Sequence, residues 1–128
     1  MDNNVMDLLG IPFVLHGRSK KGYDCYGLVI EFERRLGHNM YDLAKGYGDN
    51  NEKDLNDNVY NIIKSCKLRK TNELKYGNVV LFYDNKGRVC HIGALLNNKD
   101  FIHCDCEGVR VSNLDTYSRK GEIYEWLR

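Results

Sequence analysis

The spacing of apolar positions changes period once along the chain. From Asp24 onward, Cys25, Leu28, Val29, Phe32 and Leu36 recur at three- and four-residue intervals. That spacing predicts an amphipathic helix with Asp24 as its N-cap and Gly37 just past its end. Leu55, Val59, Ile62, Ile63 and Cys66 repeat the pattern, so a second helix is predicted over Asp54–Lys67. Beyond residue 76 the helical period is gone. Short β-branched and aromatic runs take its place at Asn78–Tyr83, Val89–Leu96, Phe101–Asp105, Val109–Ser112 and Glu122–Leu127. The turn sequence Asp84-Asn85-Lys86-Gly87 separates the first two. Helices followed by an antiparallel sheet make an α+β fold. The tyrosine- and glycine-rich stretch His38–Asn51 follows neither period.

Composition narrows the function. The 128 residues are expected to form one domain over residues 1–128, large enough to bury a core. Nineteen basic and eighteen acidic side chains leave a net charge of +1, which predicts no nucleic acid partner and no acidic lipid surface. No apolar run approaches the ~20 residues that cross a bilayer, so no membrane partner is expected. The opening MDNNVMDLLGIPF lacks a basic stretch and a long apolar stretch, and so is not read as a signal peptide. Five cysteines, an odd number, are read as free thiols made in a reducing compartment. Cys90, Cys104 and Cys106 are read as small buried hydrophobes on one strand face rather than as zinc ligands, and no metal or cofactor is expected.

Candidate chemistry starts at Cys25, in the first turn of the first predicted helix. A free thiol has a pKa of about 8.5, and a helix N-terminus contributes only ~0.3–1 kcal/mol, less than one pKa unit. Activation therefore requires an imidazole. His91 in RVCHIGALL and His103 in DFIHCDC sit on adjacent predicted strands. They share a face only if paired residue numbers across the hairpin sum to an even value, and the catalytic reading requires that register. His38 is read as a surface residue, and the run GRSKK at 17–21 as a solvated loop.

GIPFVLHGRSKKGYDCYGLV resembles the nucleophile region of NlpC-type cell-wall cysteine peptidases, a papain-like group known as the NlpC/P60 family. KYGNVVLFYDNKGRVCHIGALLNNKDFIHC is similar to the family's second conserved block, and the likeness runs over residues 10–112. It implies a papain-like NlpC-type fold, with N-terminal helices packed on a C-terminal antiparallel sheet. It also implies a Cys25 nucleophile, His91 as general base and His103 as the residue orienting His91. The implied reaction is hydrolysis of peptidoglycan stem peptides at a D-glutamyl–diamino acid bond, with the oxyanion held by the Cys25 backbone N–H. Asp24 matches a residue that reads the substrate peptide. Three departures surround that reading surface. Phe13 replaces a tyrosine, so a hydroxyl donor is lost or supplied elsewhere, with Tyr23 as the candidate. Tyr26 replaces a serine, and His16, read as a cleft-edge residue, replaces a glycine. The chain's brevity and motif spacing resemble phage tail or prophage wall hydrolases. That implies other tail proteins as partners, and delivery from the bacterial cytoplasm to the wall by a virion or tail-like particle. The alternatives are an acyltransferase or amidase on the same fold, or a non-catalytic tail assembly module.

Overall fold

The computed structural model describes residues 5–40, 42 and 51–127, with side chains described from residue 56 onward in the second helix. Most of the His38–Asn51 stretch lies outside the described residues, and so does the side chain of Leu55. Helix α1 spans Cys25–Arg35. Asp24 adopts extended geometry before it, and its Oδ1 accepts the Gly27 N–H at 2.6 Å, satisfying a donor that the first helical turn leaves unpaired. At the far end Gly37 turns with φ +89°, and its N–H donates to the Arg34 carbonyl. Both predicted caps are therefore present.

Helix α2 spans Asn51–Ser65, so it begins and ends earlier than the apolar spacing suggests. Lys67 adopts φ +56° and reverses the chain, although the Cys66 N–H still reaches the Ile62 carbonyl. The chain then enters a strand that hydrophobic alternation does not reveal. This strand, β3 (Leu68–Thr71), has only Leu68 buried because it lies at the sheet edge. Two further short strands, β1 (Arg18–Ser19) and β2 (Gly22–Tyr23), form a hairpin where a solvated loop is expected.

The remaining strands, β4 (Val79–Tyr83), β5 (Val89–Leu95), β6 (Asp100–Asp105), β7 (Gly108–Asn113) and β8 (Lys120–Trp126), fall close to their predicted positions. The six-stranded antiparallel sheet has the order β3-β8-β4-β5-β6-β7. One face packs on the helices. There Tyr26, Val29 and Ile62 meet Val79, Leu81 and Ile92, while Leu28 and Phe32 meet Ala94, Ile102 and Val109. The other face carries Val80, Phe82, Leu95 and Phe101, covered by Leu114 and Tyr117 from the β7–β8 connection. Apolar cover on both sides explains why β4 and β5 read as continuous hydrophobic runs.

Two details of this sheet govern the site. Gly93 pairs with His103 and Ala94 with Ile102, so paired numbers sum to an even value and His91 and His103 share a face. Between β4 and β5, Phe82 pairs with His91 but Tyr83 pairs with Val89, leaving Cys90 as the extra residue of a bulge. The bulge keeps Val89 in the core and sets the local twist beside His91. It also breaks the expected common face of the cysteines. Cys104 packs on the helix side, Cys90 is the bulge residue, and Cys106 is exposed in the turn after β6.

Candidate active site

The frame around Cys25 is assembled by glycines and one buried carboxylate. A side chain at Gly27 would place Cβ 2.2 Å from the Gly17 carbonyl oxygen, and one at Gly17 would meet the Gly22 oxygen at 2.3 Å. Only bare backbone lets the β1–β2 hairpin lie this close to the start of α1. Asp24, fully buried, ties the two together. Besides capping the helix it accepts the His16 N–H at 3.1 Å through Oδ2 and pairs with Arg18 at 2.9 Å through Oδ1. Arg18 also donates to the Gly17 carbonyl and to Asp42. Cys25 follows as the first helical residue, 3% exposed.

On the sheet, His91 Nε2 lies 2.8 Å from His103 Nδ1, and His103 Nε2 lies 2.8 Å from Ser112 Oγ. One consistent proton arrangement has His91 Nε2–H donating to His103 Nδ1 and His103 Nε2–H donating to the Ser112 hydroxyl oxygen. His91 Nδ1 is then left as an acceptor. Phe82, Phe101 and Tyr117 surround the pair, with ring centroids 4.6–6.3 Å from the imidazoles. Burial in this apolar setting pushes His91 down to about 3, helped by the facing His103, and burial pushes His103 down to about 4. At neutral pH both rings are neutral bases. Ser112 is a site residue that sequence reasoning missed. Its only signal was its place at the end of the run Val109–Ser112, on the strand beside His103.

The two halves meet at a cavity of about 320 Å³ lined by Phe13, Cys25, Cys90, His91, Tyr117 and Arg119, with Cys104, Asp105 and Cys106 completing the wall. It lies where the ends of β5 and β6 approach the start of α1, so it draws residues from both faces of the sheet. The structure thus brings Cys25, His91 and Phe13 to one cavity, with His103 directly behind His91. Other expectations are corrected. Asp24 is consumed by internal hydrogen bonds and acts as scaffold rather than as a substrate reader. Tyr26 is fully buried in the helix-side core. Tyr23 is buried too, with its phenol turned toward Glu31, Arg35 and Asp7, so it does not stand in for the hydroxyl missing at Phe13. His16 adopts φ +63°, which explains why glycine suits that position, and does not line the cavity. His38 is no simple surface residue, because its ring stacks on Trp126 at 4.4 Å and its Nδ1 lies 2.9 Å from the buried Glu33 carboxylate.

Cys104 is chemically distinct from Cys25 although both border the cavity. Its Sγ donates to the Tyr23 carbonyl at 3.1 Å, and burial followed by the nearby Asp105 and Asp24 charges pushes it up to about 12. Such a thiol stays protonated and unreactive at neutral pH.

The family model for NlpC/P60 matches residues 10–127. The chain belongs to the NlpC/P60 family. Solved structures agree on the fold. The NlpC/p60 domain of the peptidoglycan hydrolase SagA superposes with a TM-score of 0.60 at 17% identity, covering 94% of this chain and 92% of that one. A family protein from Bacillus cereus ATCC 10987 gives 0.64 at 19% identity, over 90% of this chain and 35% of that one. NlpC1 from Trichomonas vaginalis gives 0.68 at 19% identity, over 98% of this chain and 43% of its own. The chain thus matches nearly the whole SagA domain but less than half the length of the other two. None of these matches points to the phage tail branch.

Proposed function

We propose that this NlpC/P60 domain is a cysteine peptidase acting on peptidoglycan stem peptides, at a D-glutamyl–diamino acid bond. One observation carries the reading: the sulfur-bearing end of α1 borders the same cavity as His91, whose ring is backed by His103 and Ser112. In this mechanism His91 Nδ1 takes the Cys25 proton as sulfur attacks the scissile carbonyl. His103 Nδ1 accepts the hydrogen bond of the imidazolium that forms, and His91 then hands its proton to the departing amine. A water deprotonated by His91 releases the acyl group from the thioester. The Cys25 backbone N–H, at the positive end of the helix, is suited to the oxyanion.

The depressed histidine pKa values favour a resting thiol beside a neutral imidazole, with charge separated only as the reaction begins. Incubation of the purified chain with stem tripeptides and tetrapeptides, followed by mass spectrometry, tests the proposal. The expected products are the fragments on either side of the glutamyl–diamino acid bond, absent with Cys25→Ala. Intact peptides after prolonged incubation, or equal turnover by Cys25→Ala, would refute it.

A further inference from the structure

Among the described residues Arg18, Arg34, Arg35, Arg69, Arg88 and Arg110 each hold an ion pair. Arg119 holds none, and it stands at the mouth of the Cys25–His91 cavity. The acid of that cavity, Asp105, is already engaged by Arg110, which also reaches Glu107. The opening therefore carries a guanidinium that holds no ion pair among the described residues. Two residues earlier on the same β7–β8 connection, Tyr117 lines the cavity as well. Its ring is anchored against Phe82 at 4.8 Å and Phe101 at 5.0 Å, and its hydroxyl has no hydrogen-bond partner among the described residues. A guanidinium fork and a phenolic O–H on residues lining one cavity form a donor set matched to a carboxylate, which accepts several charge-assisted hydrogen bonds at once.

We infer that Arg119, assisted by the Tyr117 hydroxyl, binds a free carboxylate of the substrate next to the scissile bond and so selects acidic over amidated peptides. The inference rests on the proposed peptidase reading and adds what the cleft requires of its ligand. With Phe13 bare of a hydroxyl, with Tyr23 turned away and Asp24 and Tyr26 buried, recognition passes to the loop between β7 and β8. Arg119 also lies close enough to oppose a proton on His91, so a bound carboxylate would cancel that field where the imidazolium must form.

A stem peptide offers this chemistry from two sources, the α-carboxylate of the γ-linked glutamyl residue and the carboxylate of the diamino acid. Three synthetic tripeptides separate them: the free diacid, the form amidated at the glutamyl residue, and the form amidated at the diamino acid. Each is titrated calorimetrically into Cys25→Ala and into Cys25→Ala/Arg119→Gln, and kcat/KM is measured in the Cys25 parent and in Arg119→Gln. One amidation is expected to weaken binding to the Arg119 protein by at least about tenfold, and by less than about twofold once Arg119 is glutamine. The sensitive position identifies the carboxylate. Equal binding of all three peptides to the Arg119 protein, equal sensitivity in both proteins, or no binding at all overturns the inference. Selective binding without cleavage would strike the peptidase reading alone and leave the carboxylate site standing.

Discussion

The buried imidazole pair makes the fold sensitive to mild acid. In the native protein His91 and His103 titrate near 3 and 4, against about 6.5 in an unfolded chain. The fold thus favours the neutral rings. Between those limits the unfolded state binds more protons, so stability falls as pH falls and is fully present only above about 6.5. For one histidine, lowering the pH from 7 to 5 removes roughly 2 kcal/mol, and about 4 kcal/mol if both behave independently. That is a large part of the 5–15 kcal/mol typical of a whole domain. The carboxylates held low by backbone N–H groups and cations, Asp84 and Asp105, and those held low chiefly by cations, Asp7, Glu31 and Glu122, lose their contribution only further into acid. Glu33, raised by burial, acts with the opposite sign. Urea unfolding at pH 7, 6 and 5, followed by the fluorescence of the single tryptophan, measures the slope. The parent should lose several kcal/mol over this window, and His91→Asn/His103→Asn should lose much less. If the double variant does not fold, ring-proton NMR of the parent gives the same information, since neither imidazole should titrate between pH 7 and 5. A parent as stable at pH 5 as at 7, or rings titrating near 6.5, would refute the argument.

Other expectations follow from the frame around Cys25. Arg18→Ala removes the cation paired with the fully buried Asp24 carboxylate and should cost about 3–5 kcal/mol in unfolding free energy, whereas removing an exposed cation such as Arg34 should cost far less. Gly27→Ala drives Cβ into the Gly17 carbonyl and should destabilise by about 1–3 kcal/mol; unchanged thermal stability would contradict the close approach. Ser112→Ala leaves a buried His103 ring nitrogen without its partner and should cost about 1–3 kcal/mol, with kcat reduced more than KM is raised. At pH 7 a thiol-directed electrophile mapped by peptide should modify Cys25 faster than Cys104, and His91→Ala should slow the Cys25 adduct only.

Much of this architecture lies within short stretches of chain. The i, i+3, i+4 stripe from Cys25, the Asp24 cap and the Gly37 stop are local requirements of one helix, and residues a few positions apart carry them in full. The strands of the main sheet are legible for a similar reason, since β-branched runs closed by turn residues form wherever both faces find cover. Even the pairing of His91 with His103 reduces to a short hairpin, where loop length decides parity. The strand β3 escapes because an edge strand buries so little that its pattern is polar, and β1–β2 because two residues show no alternation.

What only the tertiary structure decided concerns residues whose chemistry depends on distant neighbours. Motif position makes Asp24 and Tyr26 look like a reading surface, yet the hairpin packed on α1 closes over Asp24, where Arg18 arrives to neutralise the carboxylate, and Tyr26 is buried in the core between the helices and the sheet. Ser112 and Arg119 carry no motif of their own. The first gains a role because it lies opposite Phe101 on β7, diagonally across the strand pair from His103, and the second because the β7–β8 connection folds back over the cavity. Sequence determines backbone propensity and side-chain identity over a few residues. Desolvation and charge compensation are properties of the space those side chains come to share, and that space exists only once the chain has folded.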